Sequence, residues 1–101
     1  MKVVLLPAAE GDLGDLFLYI KDELQNPIAA RNVATKILQR AQMLANFPEL
    51  GVNLANVDLR LGGYRYLLVD SYLVIYKITD EEVCIVRILY ARSDYVQLLQ
   101  G

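Results

Sequence analysis

The sequence predicts an α+β domain in which an antiparallel β-sheet packs against a helical hairpin, in the order β-α-α-β-β-β-α. Three observations carry this. In the first half of the chain, apolar residues recur at three- and four-residue steps, as on amphipathic helices. From Tyr64 onward, β-branched and aromatic residues crowd into three short runs separated by polar turns, as in a strand meander. Between the two helical stretches lies Asn26-Pro27, an N-cap residue followed by a proline suited to the first helical position.

Taken in order, residues 2–6 form an apolar run that reads as a strand and is halted by Pro7. From Ala8 to Leu24, Leu13, Leu16, Phe17, Ile20 and Leu24 share one helix face. Gly11 and Gly14 weaken the first turns, and Asp12 or Asp15 there suits the helix dipole. A second helix is expected from Pro27 to about Asn46. Val33, Ile37, Ala41 and Leu44 form its apolar line, and Pro48 ends it. Residues 49–63 carry Gly51, Asn53, Asn56 and Gly62-Gly63 and read as a loop or weakly paired segment. Strands follow at 64–69, 72–78 and 83–90, and Ser93 is placed to cap a short final helix over 94–99. The first strand is expected to join the same sheet, since an isolated strand leaves its backbone groups unpaired.

A chain of 101 residues is expected to form one domain spanning residues 1–101. Its hydrophobic content is 55%, above the usual ~45–50%. Strict alternation sets Tyr72, Val74, Tyr76 and Ile78 against Leu73, Ile75 and Lys77. It likewise sets Cys84, Val86, Ile88 and Tyr90 against Ile85, Arg87 and Leu89. Both faces of the sheet are therefore largely apolar, and a helical hairpin covers only one. A partner protein is expected to pack on the other; the alternative is that the final helix and the 49–63 loop suffice.

Several classes are disfavoured. Asp70, Lys77 and Asp80-Glu81-Glu82 break the apolar stretches, so no membrane span is expected. The N-terminus has no signal-peptide core, and Cys84, the single cysteine, reads as a small buried hydrophobe. A reducing cytoplasm fits both. The net charge of −2 gives no electrostatic footprint for nucleic acid. No histidine is present, so the commonest acid–base group and zinc ligand is missing; no metal and no cofactor is expected.

Five stretches together resemble the RelE/ParE toxin superfamily: Ala9, Asp12, Leu13, Leu16, Tyr19 and Ile20; Pro27, Ala29, Ala30, Ile37, Leu44 and Pro48; Gly63-Tyr64-Arg65; residues 71–78; and residues 86–95. The resemblance spans nearly the whole chain. It implies the toxin half of a bacterial type II toxin–antitoxin pair, neutralised by a cognate antitoxin. Two activities occur on this fold, ribosome-dependent cleavage of messenger RNA and inhibition of DNA gyrase, and fold alone does not choose between them.

The resemblance also implies roles. Arg65 matches a basic position on the second strand, and Leu73 falls where nuclease members often carry arginine. Arg92 matches the basic position after the last strand. Tyr90 stands where many relatives have histidine, and Tyr95 takes the place of a terminal aromatic. A nuclease built on Arg65, Arg92, Tyr90 and Tyr95 has a chemical difficulty. Arginine stays protonated, and a free tyrosine with a pKa near ~10 accepts a proton only after a strong shift. Asp94 or Glu49 is a possible base that nothing in the sequence places. A gyrase inhibitor needs only a binding surface, for which Arg87, Tyr90, Arg92 and Tyr95 are the candidates.

Each residue also has a plainer role. Arg65 and Arg87 read as solvated strand charges, Tyr64, Tyr66, Tyr72 and Tyr76 as packing residues, and Asp94 as a helix-start residue. The expectation is therefore a ParE-like toxin acting by binding. The alternatives are an RNA endonuclease, and a non-toxic member that meets operator DNA only through its antitoxin.

Overall fold

The computed structural model describes residues 1–93 and 95–100. Its elements are β1 (Lys2–Leu5), α1 (Pro7–Leu18), α2 (Pro27–Gln42), β2 (Val52–Asn53), β3 (Tyr64–Val69), β4 (Tyr72–Ile78), β5 (Glu82–Tyr90) and α3 (Tyr95–Gln100). All five strands form one sheet in the order β1-β5-β4-β3-β2. The expected meander is present. β1 joins it in parallel to β5, with Val3 opposite Val83 and Leu5 opposite Ile85. The weakly paired segment contributes the two-residue edge strand β2, in which Val52 lies opposite Tyr66.

Local chemistry sets the helix ends. Pro7 stops the β1 ladder and opens α1 at its first position. At α2 the Asn26 carboxamide accepts the Ala29 N–H at 3.0 Å, the cap expected from Asn26-Pro27. Between them, residues 19–23 form a wider turn, closed by Leu24 N–H to the Tyr19 carbonyl at 3.1 Å. Gln25, in the left-handed region at φ 50°, then reverses the chain.

Packed between the sheet and the α1–α2 hairpin is the main core, which contains Ala9, Leu16, Ile20, Ile37, Leu44, Leu67, Val74, Tyr76, Ile85 and Ile88. Burying a side chain of Leu or Ile size stabilises by about 1.5–3 kcal/mol. Shortening a buried leucine such as Leu44 to alanine is expected to cost about 2–5 kcal/mol.

Two sequence expectations need correction. The first is the strict alternation along β5. Tyr76 pairs with Ile85 but Ile75 with Arg87, so Val86 is an extra residue that bulges the strand. Past the bulge the parity changes. Ile85 and Ile88 both face the hairpin, while Val86 and Leu89 join the opposite face.

The second concerns how much of that opposite face is left open for the expected partner. Leu73, Ile75 and Leu89 are buried there by Leu54 and Leu61 of the 49–63 segment and by Tyr95, Val96 and Leu99 around α3. Short capped turns hold that segment down: Asn53 accepts the Ala55 N–H at 2.9 Å and Asp58 the Arg60 N–H at 2.9 Å. These residues cover much of the second face, though Leu68, opposite Leu73, remains 56% exposed there.

Candidate partner-binding groove

Further open apolar surface lies on the hairpin side, at the end of the sheet where β3 turns into β4. α1 and the wide turn leave the sheet there, opening a cavity of about 860 Å³. Leu16, Tyr19, Ile20 and Leu24 form one wall, Ala29 and Val33 of α2 another, and Tyr72, Ile88 and Tyr90 the sheet side. Tyr19 is 53% exposed, Leu24 57% and Tyr90 46%, a large amount of apolar surface for adjoining residues. The Tyr72 and Tyr90 rings meet edge to face at 5.8 Å between centroids.

The wide turn accounts for the opening. Its looser spacing lets Tyr19, Ile20 and Leu24 all line the same groove. Such turns are frequent at functional sites.

Three carboxylates rim the groove: Asp12, Asp15 and Asp70. Asp12 holds α1 onto β5. Its two oxygens take Nε and Nη2 of Arg87 at 2.7 and 2.9 Å, and Oδ2 also accepts the Ile88 N–H at 2.9 Å. β1 ends before reaching Ile88, so this carboxylate serves the backbone where the neighbouring strand stops. The fork with Asp12 raises the Arg87 pKa further. Asp70 sits in the β3–β4 turn at φ 53°, a region aspartate tolerates, and Lys36 of α2 reaches it at 3.0 Å.

The residues singled out from the sequence are spread over the molecule. Arg65 lies opposite Tyr76, whereas Tyr90 lies opposite Tyr72, four residues along β4. That separation is about 13 Å at ~3.3 Å per residue. The Arg65 guanidinium donates to the Gly51 carbonyl at 2.8 Å, and Arg87 is forked onto Asp12; neither is a free strand charge. Arg92 is exposed in the turn after β5. Tyr95 is half-buried against the second face. Asp94 lies outside the described residues. Glu49 is exposed, and its carbonyl stands 3.4 Å from Arg65. Cys84 is half-buried rather than fully enclosed.

Tyr90 and Arg92 stand two residues apart at the end of β5, Tyr95 packs near that end on the second face, and Arg65 is held further along the sheet. The Tyr72 pKa is pushed up by burial and by the neighbouring Tyr90 and Tyr19 phenols, away from the range of a proton acceptor. Sequence reasoning did not foresee a role for Asp12, Asp15, Tyr19 or Leu24 in this groove. The available signal was the run of apolar residues continuing to Leu24, past the point where α1 itself ends.

Comparison with known proteins agrees with the fold. Residues 3–95 match the family described as the ParE toxin of the type II toxin–antitoxin system parDE. Among curated proteins no sequence matches. A solved chain described as the chromosomal ParDE TA system from P. aeruginosa has the same fold, with a TM-score of 0.75 at 19% identity. The match covers 91% of this chain and 97% of that one. Among the described residues, no helix is long and apolar enough to cross a membrane. With the family matched from β1 to the start of α3, this chain belongs to the ParE toxins of type II toxin–antitoxin systems.

Proposed function

We propose that this protein is a growth-inhibiting toxin that acts in the cytoplasm by gripping a macromolecule, with DNA gyrase the leading target. We further propose that its antitoxin neutralises it by seating a segment in the groove. The observation that carries this reading is how the charged and aromatic groups are used. Arg65 and Arg87 are committed to the protein's own carbonyls and carboxylate, whereas Tyr90 is exposed on an apolar groove and Arg92 is exposed in the turn two residues further on. Aromatic and arginine side chains in that setting favour binding over proton transfer. The target-contacting set is Tyr90 and Arg92, with Arg87 and Tyr95 holding that end of β5 in place.

Tyr90 belongs to both surfaces. It lines the groove and adjoins the Arg92 turn. A segment filling the groove therefore covers part of the target-binding surface, and neutralisation follows from occlusion. Operator DNA is contacted only through the antitoxin.

Inducing the protein alone in a bacterial host tests this. Loss of plasmid supercoiling or DNA breaks, reversed by co-expressing the antitoxin, is the expected result. In-frame cleavage of messenger RNA on translating ribosomes would establish the endonuclease alternative instead. No growth defect would leave only a non-toxic role with the antitoxin.

A further inference from the structure

The groove is apolar, but its rim is not neutral. Of the carboxylates around it, Asp12 is matched by Arg87 and the Ile88 N–H, and Asp70 by Lys36. Asp15 has no hydrogen-bond or ion-pair partner among the described residues, and no lysine or arginine lines the groove. Asp15 lies one turn after Asp12 on α1 and one turn before Tyr19 at the start of the wide turn, and all three line the groove. An occupant that packs on Tyr19, Leu16 and Tyr90 therefore desolvates the Asp15 carboxylate.

Desolvating a carboxylate without a partner opposes binding and offsets part of the gain from apolar contact. We propose that Asp15 determines which segment the groove accepts: an amphipathic helix that carries a lysine or arginine beside its apolar face and pairs with Asp15. This rests on the groove being the antitoxin's seat, and it adds the chemistry that the seated segment must have.

The dimensions fit such a segment. The lining runs along the first helix and its wide turn from Asp12 to Leu24. That span is about 18 Å at ~1.5 Å per residue, or roughly three turns of an occupying helix. Anchors at i, i+3, i+4, i+7 and i+11 of the occupant span it, in the helix-in-groove mode. The cation also opposes wrong partners. An acidic amphipathic helix of the same apolar pattern meets the unpaired Asp15 with like charge.

The test is a displayed library of amphipathic helices of about 12 residues (three turns), with apolar positions fixed and the remaining positions randomised. It is panned against the full chain and against Asp15→Asn and Asp15→Lys. Folding of each variant is checked by thermal melting, and the bound position is mapped by amide chemical shifts. The expected result is enrichment of lysine or arginine at one position on the wild-type protein, with shifts at Tyr19, Leu24, Tyr72 and Tyr90. That preference disappears on Asp15→Asn, where the leading peptide loses roughly tenfold in affinity, about 1.4 kcal/mol. On Asp15→Lys it inverts to aspartate or glutamate.

Peptides that occupy the groove with no charge preference, or with the same preference on all three proteins, overturn the role of Asp15 and leave the antitoxin's seat standing. Binders mapping elsewhere, or none at all, overturn both. Should Asp15→Lys fail to fold, the comparison with Asp15→Asn decides alone.

Discussion

At the β2 end of the sheet, Tyr76 and Arg65 are directed at the chain's own backbone; at the opposite end, Tyr72 and Tyr90 stand edge to face beside an open groove. The Tyr76 hydroxyl is buried, donating to the Pro48 carbonyl at 2.8 Å and accepting the Gly51 N–H at 2.8 Å, while Arg65 takes the Gly51 carbonyl. Around Tyr90 the aromatic rings and a carboxylate remain available. The same residue types serve self-locking at one end and presentation at the other. Residue identity therefore does not mark a functional surface here; unused bonding capacity and uncovered apolar area do.

The contrast is broken most forcefully by truncating its two tyrosines. Tyr76→Ala is expected to cost about 3–5 kcal/mol, most of the stability of a small domain, measured by urea unfolding. Tyr90→Ala, at an exposed position, is expected to cost only about 0.5–1.5 kcal/mol in the same assay, the loss of its edge-to-face contact with Tyr72, while weakening antitoxin binding. Equal losses from both would erase the distinction.

Next in size is the clip between the groove end and α1. Asp12→Ala removes two bonds to Arg87 and one to the Ile88 N–H and is expected to cost about 1.5–3 kcal/mol. Arg87→Ala in the Asp12→Ala background should then add little, because the shared interaction is already gone.

At the locked end, Gly51 is required by close approach. A Cβ there would lie 2.6 Å from the Tyr76 hydroxyl and 2.7 Å from the Tyr66 carbonyl. Gly51→Ala is expected to cost about 1–3 kcal/mol, read as a lowered melting temperature. Tyr76→Phe should relieve only part of this, since the Tyr66 carbonyl remains in the way.

The smallest effect is a pH dependence. Burial raises the Tyr76 pKa, outweighing the Gly51 N–H bond that lowers it; burial and neighbouring phenols raise that of Tyr72. In both cases the fold favours the protonated phenol. The associated stability is complete below the ordinary tyrosine pKa of ~10 and is lost as pH rises through the higher folded values. Stability measured from neutral pH upward should therefore stay level to about pH 10 and then fall. In Tyr76→Phe that alkaline fall should be shallower.

Much of the fold was legible because its signals are local. The Asn26-Pro27 cap, the Asp70-Ser71 turn and the three β-rich runs each depend on neighbours in sequence. What escaped was set by distant contacts. The bulge at Val86 has no marker residue, and it reverses the side on which Ile88 and Leu89 fall. Leu54 and Leu61 cover the second face from a segment full of turn residues, where buried leucines are hard to tell from exposed Leu59. The Asp12–Arg87 contact joins residues 75 positions apart, so Arg87 read as a solvated charge. Tyr90 was recognisable as an aromatic ending a strand. The groove beside it was not, because four separate elements enclose it.

On the proposed reading the Tyr72–Tyr90 end receives the partner and the Tyr76–Arg65 end does not. Hydrogen exchange of the protein alone and in complex with its antitoxin measures both ends at once. Slowed exchange is expected at residues 15–24 and 70–73 and around Tyr90, with residues 49–53 and 64–66 unchanged. Protection centred on residues 49–66, with the groove still exchanging freely in the complex, would contradict it.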